Sequence, residues 1–275
     1  MTLIAICAPG TPIDRETALA VTRLAEKEFP QVRLAFHDQC FAEHGHFAGE
    51  DAVRLAALLE CANDPAVDAV WLAKGGYGTN RIAADAVAGM TDAARRKLFL
   101  GYSDGGYLLA ALYRAGVGRP VHGAMAVDIR REGGEAAIRR ALAYIAGGRD
   151  GLEPSLGSEP TVAFNLTTLA MLSGTDLMPD LTGHVVMVEE VGEYLYAVDR
   201  LFFHLLPNLR AIAGLRLGRV SAVPVNDRPF GMSVEEIARF WCERAGVPFL
   251  GGANIGHDAE NRIVPFGLAG LGARS

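Results

Sequence analysis

Short apolar runs alternate with helically spaced stretches through the first half of the chain. Residues 3–8 are apolar and stop at Pro9-Gly10, as a buried strand does before a turn. Residues 14–28 place Leu19, Ala20, Arg23, Leu24 and Lys27 at helical spacing, and residues 32–36 predict a second short strand. Residues 50–63 predict a helix with Val53, Ala56, Ala57 and Leu59 or Cys61 on its apolar side. A strand over 68–73, a helix over 80–88, a strand over 97–102 and a helix over 105–114 follow. This rhythm predicts an α/β fold with a mostly parallel sheet and flanking helices, flavodoxin- or Rossmann-like. Ligands of such sheets bind beyond the carboxyl ends of the strands, which singles out loops 74–79 and 102–105.

Residues 146–160 hold four glycines and two prolines with little hydrophobicity, the composition of a linker. They divide an N-terminal α/β domain, 1–145, from a smaller mixed α/β domain, 161–275. In the second part the pattern predicts a helix over 165–172, a strand over 184–189, a helix over 195–206, a strand over 219–224 and a helix over 234–245. Short strands follow near Phe249 and Ile263. Ser233 and Glu236 have the spacing of a capping box.

Half the residues are hydrophobic, enough for a sizeable core. The 26 basic and 32 acidic residues leave a net charge of -6, which argues against nucleic acid as a partner. No apolar run approaches the ~20 residues of a membrane helix. Met1-Thr2-Leu3-Ile4 lacks a basic n-region, so the expected location is the cytoplasm. Cys7, Cys40, Cys61 and Cys242 are scattered without a Cys-x-x-Cys pair, and we expect buried reduced thiols and no metal site.

Gly101-Tyr102-Ser103-Asp104-Gly105 fits Gly-x-Ser-x-Gly, a tight strand-to-helix turn. Such a turn exposes the serine hydroxyl and aims the next backbone N–H, that of Asp104, at an oxyanion. The plainer reading makes Ser103 a helix cap. Lys74-Gly75-Gly76-Tyr77-Gly78 lacks both the third glycine of a dinucleotide loop and the Lys-Ser/Thr ending of a Walker loop. It fits better as a source of a second oxyanion N–H. A serine nucleophile needs a base and an orienting carboxylate. Among seven histidines, His44 and His46 lie in a polar loop, and His37, His184 and His204 in or at regular segments. His122 follows a strand, a structural position near the site. His257 sits in a loop between short strands, where chemistry is commonest. Glu189 and Glu190 end a buried strand on opposite faces, so at most one serves the site.

These segments resemble the LD-carboxypeptidase family of serine peptidases, the muramoyltetrapeptide carboxypeptidases. The resemblance rests on Ala8-Pro9-Gly10-Thr11-Pro12, Phe47-Ala48-Gly49-Glu50-Asp51, Asp64-Pro65 leading into Lys74-Gly75-Gly76-Tyr77-Gly78, and the Ser103 turn. It continues through His122-Gly123-Ala124-Met125, Asn165-Leu166, Val188-Glu189-Glu190-Val191-Gly192-Glu193, Asp199-Arg200 and Gly256-His257, in the family's order over nearly the whole chain. It implies Ser103 as nucleophile, His257 as base and Glu189 as orienting carboxylate, meeting where two domains join. Asp104 and Gly76 would supply the oxyanion N–H groups. Lys74 stands where the family usually has Arg, Ala124 where it has Pro, and Ala163-Phe164 where it has Gly-Gly. The implied reaction releases terminal D-Ala from cytoplasmic murein tetrapeptide during cell-wall recycling, without metal or organic cofactor, in a homodimer. The substrate carboxylate needs a cation, for which Lys74, Arg81, Arg130 and Arg200 are candidates, with Gly75 beside the substrate. The alternatives are an α/β-hydrolase esterase, a non-catalytic sugar- or nucleotide-binding protein, and the family's self-immunity branch, which cleaves an acyl-sulfamoyl-adenylate antibiotic. That branch tends to be longer, with extra loop sequence for the nucleotide, and the 275 residues here favour the murein enzyme.

Overall fold

Strands without a polar face belong in the middle of a covered sheet, and the first apolar runs lie there. The computed structural model describes residues 1–209 and 211–268. Strands β1 (Thr2–Cys7), β2 (Val32–Phe36), β3 (Ala69–Leu72), β4 (Leu98–Gly101) and β5 (Arg119–His122) pair in parallel in the order 5-4-3-1-2. Every residue of β3 and β4 is buried. A second sheet holds β6 (Thr161–Asn165), β7 (Val185–Val191), β8 (Gly214–Ser221) and β9 (Phe249–Gly252), also all parallel and in sequence order. Strand β10 (Val264–Pro265) then returns to the first sheet and pairs antiparallel with β5.

Among the described residues eight helices cover these sheets: α1 (Arg15–Glu28), α2 (Asp51–Asn63), α3 (Ala83–Ala88), α4 (Gly106–Ala115), α5 (Gly134–Ile145), α6 (Leu166–Leu172), α7 (Leu195–Leu205) and α8 (Val234–Ala245). Their ends carry the expected signals. Asp14 Oδ1 accepts Thr17 N–H at 2.6 Å at the start of α1, and Ser233 with Glu236 closes a capping box on α8. One apolar cluster runs from Leu72, Phe99 and Leu109 through Phe164 and Leu169 to Val186 and Phe202, so the two sheets share a core. The approach is close: a Cβ at Gly106 would lie 3.1 Å from Thr168 and 3.2 Å from Phe164. All four cysteines are buried and free. No helix among the described residues is long and apolar enough to cross a membrane.

Several boundaries differ from the pattern, each for a local reason. Strand β8 begins at Gly214, five residues before the predicted 219, because Gly214 and Leu215 pair with Val185 and Val186 of β7. The helix expected over 165–172 forms as α6, but a fully buried strand that the pattern did not give, β6, precedes it and turns into the helix at Asn165, whose Oδ1 accepts Thr168 N–H at 3.0 Å. Residues 80–88 split into a 3₁₀ turn, Thr79–Arg81, and α3. Residues 146–160 are tied down: Leu152 bridges Ile263, and the buried Glu153 accepts from Ser155 N–H at 2.7 Å and Asn254 N–H at 3.1 Å.

Helix α2 buries Arg54, Ala57, Leu58, Cys61 and Ala62, while Val53 and Ala56 face outward, a rotation from the predicted apolar side. The cause is Arg54. Its guanidinium is fully buried, donates to the Pro9 and Gly78 carbonyls (2.9 Å for Gly78), pairs with Asp51 at 2.5 Å and lies over the Phe47 ring. It thereby fastens two loops at the carboxyl edge of the sheet. Replacing Arg54 with Met strands the Pro9 carbonyl and leaves the Gly78 carbonyl with the Arg81 N–H alone, at 3.2 Å, and urea unfolding should register a loss of roughly 1–3 kcal/mol. An unchanged midpoint and slope would remove Arg54 from this role.

Candidate active site

Strand β4 ends beside the glycine-rich loop that follows β3, and the chain turns sharply there. Ser103 holds φ +56°, a left-handed conformation costing a non-glycine residue about 1–2 kcal/mol. The 3₁₀ turn Ser103–Gly105 then leads into α4. Thr168 Oγ1 donates to the Ser103 carbonyl at 3.3 Å, so α6 steadies the strained residue. The buried Asp104 carboxylate accepts N–H groups from Gly78 at 3.3 Å and Thr79 at 2.9 Å. Burial pushes its carboxyl upward, and these donors oppose that.

The glycine loop needs its glycines. Gly75 C=O accepts from Thr11 N–H at 3.2 Å and Thr11 Oγ1 at 3.0 Å. In a trans peptide the following N–H, that of Gly76, points the opposite way, away from Thr11. Gly76 has φ +85°, and a Cβ there would sit 2.5 Å from Thr11. A Cβ at Gly75 would lie 3.2 Å from Ser103 Oγ and 3.3 Å from Asp104 N, so the space beside the hydroxyl exists only because Gly75 lacks a side chain.

His257 comes from the loop between β9 and β10. Its Nε2 lies 3.0 Å from Ser103 Oγ and its Nδ1 2.5 Å from Glu189 Oε2. A carboxylate accepts only, so Nδ1 carries the proton and Nε2 is free to accept the Ser103 hydroxyl. Glu189 is wholly buried; burial pushes its carboxyl up, and the hydrogen bond and charge of His257 pull it down. Glu189 reaches His257 where the β7–β8 register shifts, with one extra residue on β8. Gly218 makes room there, since a Cβ on it would meet Glu189 Cβ at 3.0 Å. Glu190 faces the other way and accepts from Asn165 Nδ2 (2.7 Å), Thr167 N–H (2.8 Å), Thr167 Oγ1 (2.7 Å) and Val191 N–H (2.9 Å).

The His257 loop is clamped from three sides. Arg219 grips both oxygens of Asp258 through one guanidinium edge, Nε and Nη2, at 2.7 Å from Nη2. Arg140 Nη1 donates to the carbonyls of Ala259 at 2.8 Å and Asn261 at 3.0 Å. Asn261 Oδ1 accepts Gly256 N–H at 3.2 Å and His122 Nε2 at 3.0 Å. Tyr102 packs its ring 4.9 Å from that of His257.

Ser103 and His257 open onto a cleft of about 450 Å³ that Lys74, Gly75, Gly76 and Val191 also line. Lys74 makes no hydrogen bond or ion pair among the described residues. Arg130 lines the cleft but is bound to Thr17, Asp14 and Glu16. Arg200 and Arg81 do not line it. Arg200 lies over Tyr196 on its own helix, and Arg81 pairs with Asp51 at 2.7 Å. Arg131 and Asp128 line the cleft unforeseen; the rule that strand carboxyl ends carry sites, applied to the loop after β5, would have reached them. No group of three or more His, Cys, Asp or Glu among the described residues is placed to hold a metal ion.

The fold and site define a two-sheet α/β protein in which a strained serine from one sheet meets a histidine and a carboxylate from the other. In an α/β-hydrolase esterase all three would follow strands of one sheet. Residues 4–123 match the family model described as the LD-carboxypeptidase N-terminal domain, and residues 160–270 that of its C-terminal domain. The chain belongs to the LD-carboxypeptidase family and is a peptidase. It is 27% identical to a murein tetrapeptide carboxypeptidase of Pseudomonas aeruginosa, covering 96% of this chain and 91% of that one. It is 30% identical to a probable murein peptide carboxypeptidase of Bacillus subtilis, covering 96% and 86%. A muramoyltetrapeptide carboxypeptidase from Oxalobacter formigenes superposes with a TM-score of 0.78 at 25% identity, over 96% of this chain and 93% of that one. A mutant of the microcin C7 self immunity protein in complex with adenosine monophosphate shares the fold at a TM-score of 0.80 and 15% identity, over 97% and 91%.

His122 yields a prediction about pH. It is fully buried, and desolvation pushes its pKa down to about 4 from the usual 6.5. Between those values the unfolded chain takes up a proton that the folded ring refuses, so stability falls as pH drops from about 6.5 to about 4. The full difference is about 3 kcal/mol. The stability gap between wild type and His122→Gln should shrink across that window, followed by denaturant melts. A gap independent of pH would show that the ring is not held neutral.

Proposed function

We propose that the protein is a serine carboxypeptidase that releases the terminal D-Ala of murein tetrapeptide by hydrolysing its L,D-amide bond. The observation that carries the reading is the pair of hydrogen bonds at His257, one to Ser103 and one to the buried Glu189, beside a glycine loop that leaves space at the hydroxyl. Ser103 Oγ attacks the carbonyl carbon as its proton passes to His257 Nε2. The C–N bond then breaks, and the same proton goes to the leaving amine. Water, deprotonated by His257, hydrolyses the acyl-enzyme. Such proton transfer is worth roughly 10²–10⁴-fold. Glu189 holds the ring and stabilises the imidazolium. The N–H groups of Asp104 and Gly76 receive the oxyanion, each worth roughly 10²–10³-fold. No step requires a cofactor. The reading places the enzyme in the cytoplasm, in cell-wall recycling, as a homodimer with an N-terminal unit carrying Ser103 and a C-terminal unit carrying Glu189 and His257. The self-immunity reading is weaker, because the murein peptidases named above are 25–30% identical and the immunity protein 15%.

Mass spectrometry of tripeptide, tetrapeptide and pentapeptide should show loss of D-Ala from the tetrapeptide alone. Its L-Ala epimer should resist, because inverting the terminal Cα moves the carboxylate off its cation, and a misplacement of about 1 Å costs on the order of 10²-fold. Ser103→Ala should lose on the order of 10⁴-fold or more. Equal turnover of the two epimers would refute the reading.

The adjacent glutamates should separate. Glu189→Gln should lower kcat by roughly 10⁴-fold in a folded protein, through loss of charge and of the correct tautomer. Glu190→Gln turns an amide N–H toward groups that donate, so it should lower stability by roughly 1–3 kcal/mol instead. Activity and thermal melts of the two variants check this, and the reverse pattern would reassign the carboxylate.

A further inference from the structure

We propose that Arg131 is the receptor for the substrate's terminal carboxylate, the residue that makes this site an exopeptidase. The inference rests on the function proposed above and identifies which cleft cation reads the free end of the chain.

The chemistry fixes where that carboxylate must lie. His257 returns its proton to the leaving amine, so the leaving nitrogen sits beside the imidazole. In an α-amino acid the carboxylate carbon is about 2.5 Å from that nitrogen. The receptor therefore belongs on the histidine's side of Ser103. Lys74 immediately precedes the Gly75-Gly76 pair, on the side of the oxyanion N–H groups. Arg131 is on the other side. Its Nε donates to Asp128 Oδ1 at 2.6 Å, the same oxygen accepts Tyr102 O–H at 2.9 Å, and the Tyr102 ring packs 4.9 Å from the His257 ring. Arg131 also acts on Asp258, the residue after His257. Burial pushes the Asp258 carboxyl up, yet Arg219, the Glu260 N–H and, least of the three, Arg131 hold it below the usual carboxylate range.

Arg131 is also preorganised. Asp128 is 1% exposed and fully engaged, since its other oxygen accepts Met125 N–H at 2.8 Å. It fixes the guanidinium by its Nε edge. Of the two terminal nitrogens, Nη2 makes a long contact of 3.4 Å with Tyr102 Oη, and Nη1 has no partner among the described residues. The end of the fork is thus left to meet a carboxylate through two hydrogen bonds. The side chain is 38% exposed and lines the cleft with Ser103 and His257. Arg130 is less suited, because Thr17, Asp14 and Glu16 already occupy its guanidinium. With Lys74, Arg130 and Arg131 against Asp128 alone, the charged side chains lining the cleft favour an anionic ligand.

The test compares murein tetrapeptide with its C-terminal amide, which keeps the scissile bond and removes the negative charge. Release of D-Ala or D-alaninamide is followed by mass spectrometry. Wild type should favour the free acid, and Arg131→Met should lower kcat/KM for the acid by about 10–100-fold while leaving the amide within about threefold. Arg131→Lys should recover part of the preference, because it keeps the charge and loses the fork. Lys74→Met should preserve the acid-to-amide ratio. The ratio is internal to each preparation, so a partly unfolded variant does not distort it. Equal losses on acid and amide in Arg131→Met, or collapse of the ratio in Lys74→Met instead, overturn the assignment while leaving the proposed function standing. Wild-type turnover of neither substrate overturns both.

Discussion

The Asp104 carboxylate joins the two loops on which the site is built. It is buried at the mouth of α4, and its position is tolerable only because backbone N–H groups of Gly78 and Thr79 turn toward it. That requirement fixes the glycine loop against the serine turn. Gly10 closes the arrangement from behind, where a Cβ would lie 2.5 Å from the Gly75 carbonyl and 3.2 Å from Asp104 Oδ2. Arg54 and Thr11 hold the same loop from its other faces. The strained Ser103 backbone survives because its neighbours are over-determined, as expected of a residue kept in a sparsely populated conformation.

The second constraint is that nucleophile and base arrive from different sheets. Their relative position depends on a shared core, not on one strand edge. The chain secures it by crossing the boundary more than once: residues 152 and 153 are bonded to 263 and 254, and β10 pairs with β5. His122, on β5, reaches Asn261 in the same span that carries His257. The site is therefore located by several independent ties, each modest in strength.

What could be read from the chain follows contact range. The parallel rhythm, the two loops at strand ends and the Ser103 turn are encoded within a dozen residues, and periodicity or glycine spacing exposes them. Glu189 and Glu190 could be placed on opposite faces by strand alternation alone. His257 led the other histidines only through its loop position and the family resemblance. Arg131 and Asp128 were passed over beside Arg130 because nothing local shows which of the two adjacent arginines is bound by distant carboxylates and which is held in the cleft. Their importance comes from Tyr102, 26 residues upstream of Asp128. Arg54 rotated the expected face of α2 for the same reason, since a charged residue reads as exposed until the carbonyls it must satisfy are known. Residues 146–160 have a linker's composition, but the buried contacts of Glu153 make them a strap.

The paired glutamates show how one strand end can serve structure and chemistry together. Both carboxylates are buried, at 0% and 2% exposure, and both would be prohibitive without partners. Glu190 receives four hydrogen bonds, from Asn165, Thr167 and Val191, so its charge is spent on fixing the start of α6, the helix that in turn steadies the Ser103 carbonyl. Glu189 is left nearly bare: His257 is its partner, and its second oxygen has none among the described residues. A carboxylate with so little competing hydration interacts strongly with a positive charge that forms on the adjacent ring. Full solvation by neighbours would blunt that interaction. The unequal treatment of two adjacent, chemically identical side chains is therefore a requirement of the site: one must be saturated to build the wall, and the other must stay unsaturated to respond to the histidine.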